Sequence, residues 1–295
     1  MLFLAVTALV RASAGEAKTD REQLDLIGPV HIVVSRSGAE KPNGSSVLEE
    51  TREYDRAGNL IESKTVFYWN HSKIRDTEQR SVHHYSPTKG EKEATTYGGD
   101  GTIRGRSLYK YDSSGNTIES ANYDANGVLT FRSTFSYDDQ TRLIEGKTYK
   151  GDGSLLSYSR SDYRLDAKGR VIADYDFRMP VKPDHSSDYK TTAILDNRGK
   201  PLEETFRDGN GSFDKRVVNK YNSSGMVAET AVYNANGSLR EKELNSYKFD
   251  VSGNWIKKIT KKWVIQNGQS SLESTNLIDR TITYYQDLLQ GTKPR

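Results

Sequence analysis

The side chains that could perform chemistry are few in this sequence, and their spacing predicts no metal site. The five histidines are His31, His71, His83, His84 and His185. None belongs to an HExxH motif, and the chain has no cysteine that could serve as a second kind of ligand. Adjacent histidines such as His83 and His84 point to opposite faces of a strand, so they would not bind one ion together. We therefore predict no metal ligands and no cofactor.

Acidic residues are the remaining candidates for catalysis, but the sequence does not assemble them into a site. A GxSxG nucleophile elbow is absent. Adjacent acids such as Asp138 and Asp139 cannot converge within one strand, because neighbouring side chains face opposite ways. Two acids from different strands could still form the pair that a glycoside hydrolase needs. We predict no catalytic residues, and the alternative is a cell-envelope hydrolase of glycan or peptidoglycan with an unrecognised acid pair.

Tyrosine is abundant, with 18 residues, and it suggests binding rather than catalysis. Its ring offers apolar area with a polar tip, which suits sugar stacking or protein contact, although the same rings could simply form the core of a thin sheet. Function in repeat proteins usually lies where the repeat is interrupted. The interruptions here are residues 69–96 and 178–190. The ligand-binding residues predicted from them are His185, Tyr189, Tyr68 and Trp69.

The charge balance argues against nucleic acid as a partner. The chain carries 43 basic and 40 acidic residues, for a net charge of +3, and the two signs are interspersed. Such a balance provides no electrostatic surface for nucleic acid or anionic lipid. The densest basic stretch is KKITKKW, from Lys257 to Trp263. It could bind phosphate, but we favour lysines that protect the edge of a sheet.

A recurring turn sets the organisation of the chain, as in YDSSGNTIES from Tyr111. Aspartate at the first turn position can bond the backbone two residues on, and glycine at the fourth accepts a positive φ. Thr141 takes the glycine position in one turn, which we expect to differ locally. The turn glycines are Gly58, Gly101, Gly115, Gly127, Gly153, Gly169, Gly199, Gly211, Gly225, Gly237 and Gly253. Their spacing repeats after 84 residues, which indicates a duplication of 111–177 as 195–261.

The segments between the turns alternate apolar and polar residues, as strands with one buried face do. The sequence therefore predicts an all-β fold, an antiparallel meander of β-hairpins that forms one long coiled or rolled sheet of about sixteen or more strands. Since the turn spacing is even, we expect every repeat to send its aromatic residue to the same, inner face. That set comprises Tyr123, Phe131, Phe135, Tyr137, Tyr149, Tyr221, Tyr233, Phe249 and Trp255. A short helical turn is expected either within 19–26 or within YYQDLLQ near the end of the sequence.

The first residues predict export. An apolar run from Leu2 to Val10 precedes Ala12-Ser13-Ala14, which has the form of a signal-peptidase site. We predict a signal peptide at 1–14, a lead-in strand and loop at 15–50, a repeat domain at 51–286 and a tail at 287–295. The two copies of the duplication are joined by the loop 178–190. A secreted or periplasmic location follows, with no membrane span once the signal peptide is removed.

The repeated segments YDRAGNLIES, YDSSGNTIES, YDANGVL and FDVSGNWIK resemble the YD repeats of the RHS family, whose shells are related to the teneurin β-shell. The resemblance covers roughly residues 50–285, and MORN-type repeat antitoxins are a weaker one. It implies hairpins laid side by side in a coiled sheet. The DPxGR-type core motif of full RHS proteins is absent, so the encapsulating role does not transfer and no catalytic residue carries over.

These observations together predict a secreted or periplasmic, non-catalytic RHS-like protein. Its role would be that of a binding or scaffold module, and its partner an unknown protein or glycan of the cell envelope. The absence of any histidine, serine or acid constellation outside the repeats is the feature that favours binding over the hydrolase alternative.

Overall fold

A computed structural model describes residues 19–41, 44–69, 77–180, 188–266 and 268–286. The predicted signal peptide, the tail 287–295 and His185 therefore lie outside the described residues. Within these described ranges, one α-helix, α1 (Asp20–Gln23), and one 3₁₀ turn (Pro87–Lys89) accompany eighteen strands. The strands are β1 (Val30–Lys41), β2 (Gly44–Tyr54), β3 (Leu60–Trp69), β4 (Thr77–Ser86), β5 (Glu91–Gly98), β6 (Ile103–Tyr111), β7 (Thr117–Asp124), β8 (Leu129–Tyr137), β9 (Leu143–Lys150), β10 (Leu155–Leu165), β11 (Val171–Arg178), β12 (Tyr189–Leu195), β13 (Pro201–Asp208), β14 (Phe213–Tyr221), β15 (Val227–Tyr233), β16 (Leu239–Phe249), β17 (Trp255–Gln266) and β18 (Gln269–Tyr284).

The all-β prediction is confirmed, but the prediction of an open coiled or rolled sheet is wrong. Successive strands are neighbours in one 18-stranded antiparallel sheet, and β1 pairs with β18 as well as with β2. The sheet is thus a closed β-barrel in its strand pairing. The pairing of β1 with β18 runs from Val30 opposite Tyr284 to Ala39 opposite Asn276. Closure satisfies backbone groups that two free edges would leave unpaired.

The turns have one geometry throughout. In the turn at Asp112, the Asp112 amide donates to the Asn116 carbonyl and the Gly115 amide donates to the Asp112 carbonyl. The Asp112 side chain accepts from the amides of Ser114 and Asn116, which is the Asx bonding expected from the sequence. All eleven turn glycines have φ between 74° and 95°. Thr141 has φ 59° with the same backbone hydrogen bonds, so the expectation of a different turn there is wrong.

The chain divides into two compact units, each of which is described by itself. The central unit holds residues 109–122 and 129–242, and the terminal unit holds the described parts of 17–108, 123–128 and 243–295. In the central unit, β8 to β15 present two different faces. The ion-paired face carries contacts such as Arg132 with Glu119 and Arg164 with Asp174. The other face, which we call the aromatic face, carries Phe135 and Tyr175.

The repeated aromatic residues do not share one face, contrary to the sequence expectation. The register of β8 with β9 shifts by one residue next to Tyr137, so Phe135 lies opposite Gly146 whereas Tyr149 lies opposite Arg132. Tyr137 is therefore on the aromatic face and Tyr149 on the ion-paired face. Because side-chain direction has a period of two, one extra residue in a hairpin reverses the face. An even spacing of turns cannot reveal such a bulge.

The predicted duplication recurs as matched contacts within the central unit. The Tyr137 hydroxyl donates to the Thr117 carbonyl at 2.8 Å, and the Tyr221 hydroxyl donates to the Pro201 carbonyl at 2.8 Å, 84 residues later. The ion pair of Arg132 with Glu119 likewise recurs as Arg216 with Glu203. These contacts support the duplication, which remains a prediction.

Two further sequence expectations are corrected. The segment 69–96 is not irregular in its described part, because it contains most of β4 and β5, which pair from Gln79 to Ser86. The lysines of KKITKKW do not protect an edge, because β17 lies between β16 and β18 in the sheet and is hydrogen-bonded to both. Two of them instead form ion pairs, Lys257 with Asp279 and Lys262 with Glu273.

The terminal unit has its core where α1 meets the sheet, and the short helix expected within 19–26 is confirmed. Leu26, Val30, Val33 and Tyr54 form a buried cluster, and we call this side of the sheet the core face. Helix α1 is held there by its first residue, because Asp20 accepts hydrogen bonds from Lys92 Nζ at 2.8 Å and from the Leu60 amide at 2.8 Å. No helix in the described residues is long and apolar enough to span a membrane.

Candidate functional site

An aromatic cluster on the aromatic face of the central unit is the best candidate for a ligand site. The strand register places the residues of the cluster side by side on adjacent strands. Phe177 lies opposite Tyr189, and Tyr175 lies opposite Thr191. Thr191 in turn lies opposite Phe206 on β13. Four strands, β10 to β13, therefore build one continuous patch of side chains.

The rings of the cluster contact one another directly. Phe177 and Tyr189 are stacked, with centroids 5.0 Å apart and an interplanar angle of 26°. Tyr175 lies 5.8 Å from Tyr189 with its ring tilted by 40°. We call these three residues the aromatic shelf. All three are half-buried, so each ring keeps part of its surface exposed.

Small and hydroxylated side chains border the aromatic shelf. Ser159 and Ser161 of β10 lie opposite Phe177 and Tyr175, and Thr191 lies on the other side. Such small neighbours bring hydroxyl groups beside the rings. An apolar platform with adjacent hydrogen-bonding groups is the general form of a small-molecule site.

The two phenol groups of the shelf are kept neutral. Burial raises the pKa of Tyr175 above its ordinary value, and the adjacent Tyr189 hydroxyl raises it further. Burial also raises the pKa of Tyr189. At neutral pH both hydroxyls therefore retain their protons and can donate or accept hydrogen bonds.

One carboxyl group stands on the same face. Glu204 lies opposite Ala193 of β12 and Val217 of β14. Burial raises the pKa of Glu204, and the nearby Lys215 opposes that effect. The Lys215 ammonium in turn lies 5.0 Å from the centroid of the Phe206 ring. Glu204 is thus a half-buried acid, two residues before Phe206 on β13.

The tyrosines of the repeated turns have a different, structural role. The hydroxyls of Tyr137, Tyr163 and Tyr221 each donate to a backbone carbonyl 20 residues earlier in the chain. Each bond ties the end of a strand to the first residue of the strand directly before it in the chain. Within the described part of the chain, the shelf tyrosines form no such bond to a backbone carbonyl, and their rings contact each other. This difference separates the shelf from the general scaffold.

The predicted binding residues are not brought together by the structure. Tyr189 belongs to the aromatic shelf in the central unit, whereas Tyr68 lies on β3 of the terminal unit, opposite Val47. His185 and the side chain of Trp69 lie outside the described residues. Sequence reasoning missed Tyr175 and Phe177. Their signal was the segment DYDF, which directly precedes the interruption 178–190 and places two aromatic residues at strand spacing.

The described residues contain no group of three or more histidine, aspartate or glutamate side chains that could hold a metal ion. The carboxylates of the repeated turns are occupied by their own backbone amides, as at Asp112 and Asp138. The chemistry that the shelf can perform is therefore stacking and hydrogen bonding.

Comparisons with known proteins support the fold and correct the family resemblance. The sequence matches no protein-family model and no curated protein. A porin-like protein from Bacteroides uniformis is similar in structure, with 14% sequence identity and a TM-score of 0.53, over 87% of this chain and 98% of that one. A porin-like protein from Bacteroides vulgatus is 13% identical with a TM-score of 0.36, over 86% of this chain and 98% of that one.

The resemblance to RHS/YD repeats is therefore wrong. The first of these similarities, together with the pairing of β1 with β18, identifies a closed 18-stranded barrel rather than a repeat shell. The Asp-x-x-Gly turn that suggested the family connects the two strands of a hairpin with a bulge. It follows from turn physics and specifies no particular closure of the sheet.

Proposed function

We propose that this protein is a non-catalytic binding module that holds a carbohydrate against the aromatic shelf. The observation that carries the proposal is the stacking of Phe177 on Tyr189 beside Tyr175, on a face where the neighbouring side chains are small and hydroxylated. Aromatic rings of this kind bury apolar area while the tyrosine tips retain a hydrogen-bonding group. A sugar ring has the matching character, because its C–H faces are apolar and its rim is hydroxylated.

We propose further that the sheet functions in water rather than inside a bilayer. A strand that crosses a bilayer presents an apolar band to lipid. In the terminal unit, Arg36 pairs with Glu49 and Lys64 with Glu78 on one face. The opposite, core face carries Arg52, which pairs with Glu50. With charged side chains on both faces, neither supplies such a band. Flotation with lipid vesicles tests this point, and we expect the protein to remain in the aqueous fraction.

The proposed location is the bacterial cell envelope, on the outer side of the cytoplasmic membrane. The signal-like segment before residue 15 supports it. The porin-like description of the similar Bacteroides uniformis structure also suits an envelope protein. A glycan of the envelope is accordingly the class of ligand that we favour.

Binding measurements with shelf variants test the function. Purified protein is titrated calorimetrically against envelope glycans and peptidoglycan fragments. We expect Phe177→Ala and Tyr189→Ala each to weaken binding by about 3- to 10-fold, because each removes one stacking surface. Tyr149→Ala is the matched control, since it removes an aromatic ring from the ion-paired face of the same unit.

The control should bind like the unmodified protein, and all three variants should keep their β-sheet circular dichroism. Unchanged affinity in both shelf variants would rule out the shelf as the binding site. An equal loss in Tyr149→Ala would show that the effect arises from general destabilisation rather than from lost contact.

The hydrolase alternative has one specific observation in its favour, the raised pKa of the half-buried Glu204. A general acid needs such a shift, but a glycoside hydrolase also needs a second carboxyl group roughly 5–10 Å away. The residues opposite Glu204 on its two neighbouring strands are Ala193 and Val217. Turnover of any tested glycan that Glu204→Gln abolishes would establish the enzyme and overturn the binding proposal.

A further inference from the structure

A second cluster, on the core face of the terminal unit, combines aromatic rings with cations. Arg280 of β18 lies opposite Ser35 of β1, and Ser35 lies opposite Glu50 of β2 on its other side. Lys258 of β17 lies opposite Ile278, two residues from Arg280 on the same face. We call Trp255, Lys258, Arg280 and Arg52 the Arg280 cluster.

The Arg280 side chain is stacked on an indole ring and is half-buried. Its guanidinium carbon lies 3.4 Å from the centroid of the Trp255 ring. Its Nε is buried and has no hydrogen-bond partner in the described part of the chain. No carboxylate of the described residues forms an ion pair with it. A buried guanidinium normally has such a partner, because an uncompensated charge is costly to bury.

A second arginine shows what the compensated arrangement is in this protein. Arg142 lies over the Tyr163 ring at 4.3 Å from the centroid. Its guanidinium also forms an ion pair with Asp138 at 2.7 Å. Stacking and ion pairing therefore coexist at Arg142, whereas Arg280 has the stacking alone.

The electrostatic surroundings of Arg280 are consistent with an excess of positive charge. Burial lowers the pKa of Arg280 to about 10, and the positive charge of Arg52 lowers it further, against weaker opposing effects of Tyr54 and Glu50. Burial also lowers the pKa of Lys258, where Glu243 and Arg280 act in opposite directions. Among the described residues, the three cations Arg280, Arg52 and Lys258 thus act against two carboxylates, Glu50 and Glu243, which leaves one positive charge in excess.

We propose that the Arg280 cluster binds the carboxylate of a sugar acid. The planar guanidinium fork matches a carboxylate in a bidentate arrangement. One surplus positive charge suits a monoanion better than a doubly charged phosphate monoester. The Trp255 ring, with Tyr247 against it edge-on at 6.3 Å, supplies an apolar wall for the sugar ring. This site lies in a different unit from the aromatic shelf and does not depend on it.

Fluorescence of Trp255 measures this binding directly. The chain has three tryptophans, so replacing Trp69 and Trp263 by phenylalanine leaves Trp255 as the single indole. The protein is titrated with glucuronate, glucose, N-acetylalanine and inorganic phosphate at low salt. We expect saturable binding of glucuronate, with an affinity at least about tenfold above that of the other three probes, because only glucuronate has both the carboxylate and the ring.

Substitution of the arginine tests the assignment. Arg280→Gln should weaken glucuronate binding at least about tenfold, since it removes the charged hydrogen-bond donor. Arg280→Lys retains the charge without the fork, and we expect intermediate affinity. Arg142→Gln is the matched control, because it removes a stacked arginine that already has a carboxylate partner. It should leave glucuronate binding unchanged.

Unfolding measurements distinguish a ligand site from a structural residue. Removing a surplus buried charge should leave the melting temperature of Arg280→Gln unchanged or raise it. Unaltered glucuronate affinity in this variant, or tighter binding of phosphate than of glucuronate, would overturn the proposal. It would also fail if Arg280→Gln and Arg280→Lys both unfolded, because Arg280 would then be structural.

Discussion

Thr141 shows what the turn demands of a single residue. It has φ 59° in a turn whose counterparts elsewhere carry glycine. A β-branched side chain in the left-handed region is strained, because its Cβ crowds the backbone. The backbone hydrogen bonds are nevertheless made, so the surrounding hairpin imposes the conformation.

We expect Thr141→Gly to stabilise the protein by about 1 kcal/mol, because the relief of strain exceeds the added freedom of the unfolded chain. The reciprocal variant is Gly127→Thr, at a turn where φ is 80° and an added Cβ meets nothing within 4 Å. It should cost about 1–2 kcal/mol through conformation alone. Urea unfolding measures both, and a destabilised Thr141→Gly would refute the strain argument.

His83 links stability to pH. Burial lowers its pKa from 6.5 to about 4, and the charge of Lys92 contributes in the same direction while Asp20 opposes it. The folded protein therefore holds His83 neutral at a pH where the unfolded chain already binds a proton. The contribution of neutral His83 to the free energy of unfolding is fully present above pH 6.5 and is lost as the pH falls toward 4.

The loss should amount to about 1–3 kcal/mol over that interval. His83→Gln should flatten the dependence of unfolding free energy on pH between 6.5 and 4. His84→Gln, at an exposed position on the opposite face, should retain the dependence of the unmodified protein. An identical slope in the two variants would show that His83 is not the responsible group.

At the scale of elements, one motif serves two purposes. Asn116 and Asn254 both follow the glycine of a turn, in SSGN and VSGN. Asn116 bonds within its own turn, to Asp112. Asn254 is buried and bonds the amide of Ile27 at 2.7 Å and the carbonyl of Ile27 at 2.8 Å. It thereby fastens the segment after α1 to the turn between β16 and β17.

Asn254→Ala should destabilise the protein by about 2–4 kcal/mol, because it breaks these bonds and leaves backbone groups without partners. Asn116→Ala, the same substitution at the same turn position, should cost about 1 kcal/mol or less. Hydrogen exchange at the Ile27 amide should accelerate only in the Asn254 variant. Equal costs in the two variants would contradict the fastening role.

How much the sequence reveals depends on the distance over which a feature acts. Turns such as that at Asp112 could be predicted because aspartate and glycine act within five residues. The face of Tyr149 could not, because one bulge beside Tyr137 reverses it. Of the aromatic shelf, the sequence predicted only Tyr189. The role of Arg280 could not be predicted, because it depends on Arg52 and Trp255, which the fold brings close to Arg280 from distant positions in the sequence. Nothing in the local pattern distinguishes Asn254 from Asn116.

At the scale of the whole molecule, the closure of the sheet is the feature to test. Val34 of β1 lies opposite Thr281 of β18. Opposed strand residues have Cα atoms about 4.5–5.5 Å apart, which is within the range that a disulfide bridges. Because the chain has no cysteine of its own, an introduced pair has no competing partner.

We expect the variant Val34→Cys/Thr281→Cys to oxidise to a single intramolecular disulfide and to gain about 2–5 kcal/mol of stability. Mass spectrometry detects the bond, and thermal unfolding measures the gain. The control, Val34→Cys/Leu277→Cys, uses a residue of the same strand that lies opposite Gly38 instead. It should stay reduced, and disulfide formation in the control alone would contradict the register.

The pairing of β1 with β18 also has a consequence for the order of folding. A chain synthesised from its N-terminus releases β1 first and its partner β18 last. Until β18 is available, the edge of β1 that faces away from β2 has unpaired backbone amides and carbonyls, and a strand of another chain could pair with it. Pairing between strands so far apart in the sequence is also slow, because bringing the two strands together costs conformational entropy of the chain between them. For this protein, the interval between first and last strand is therefore the period of greatest exposure to aggregation.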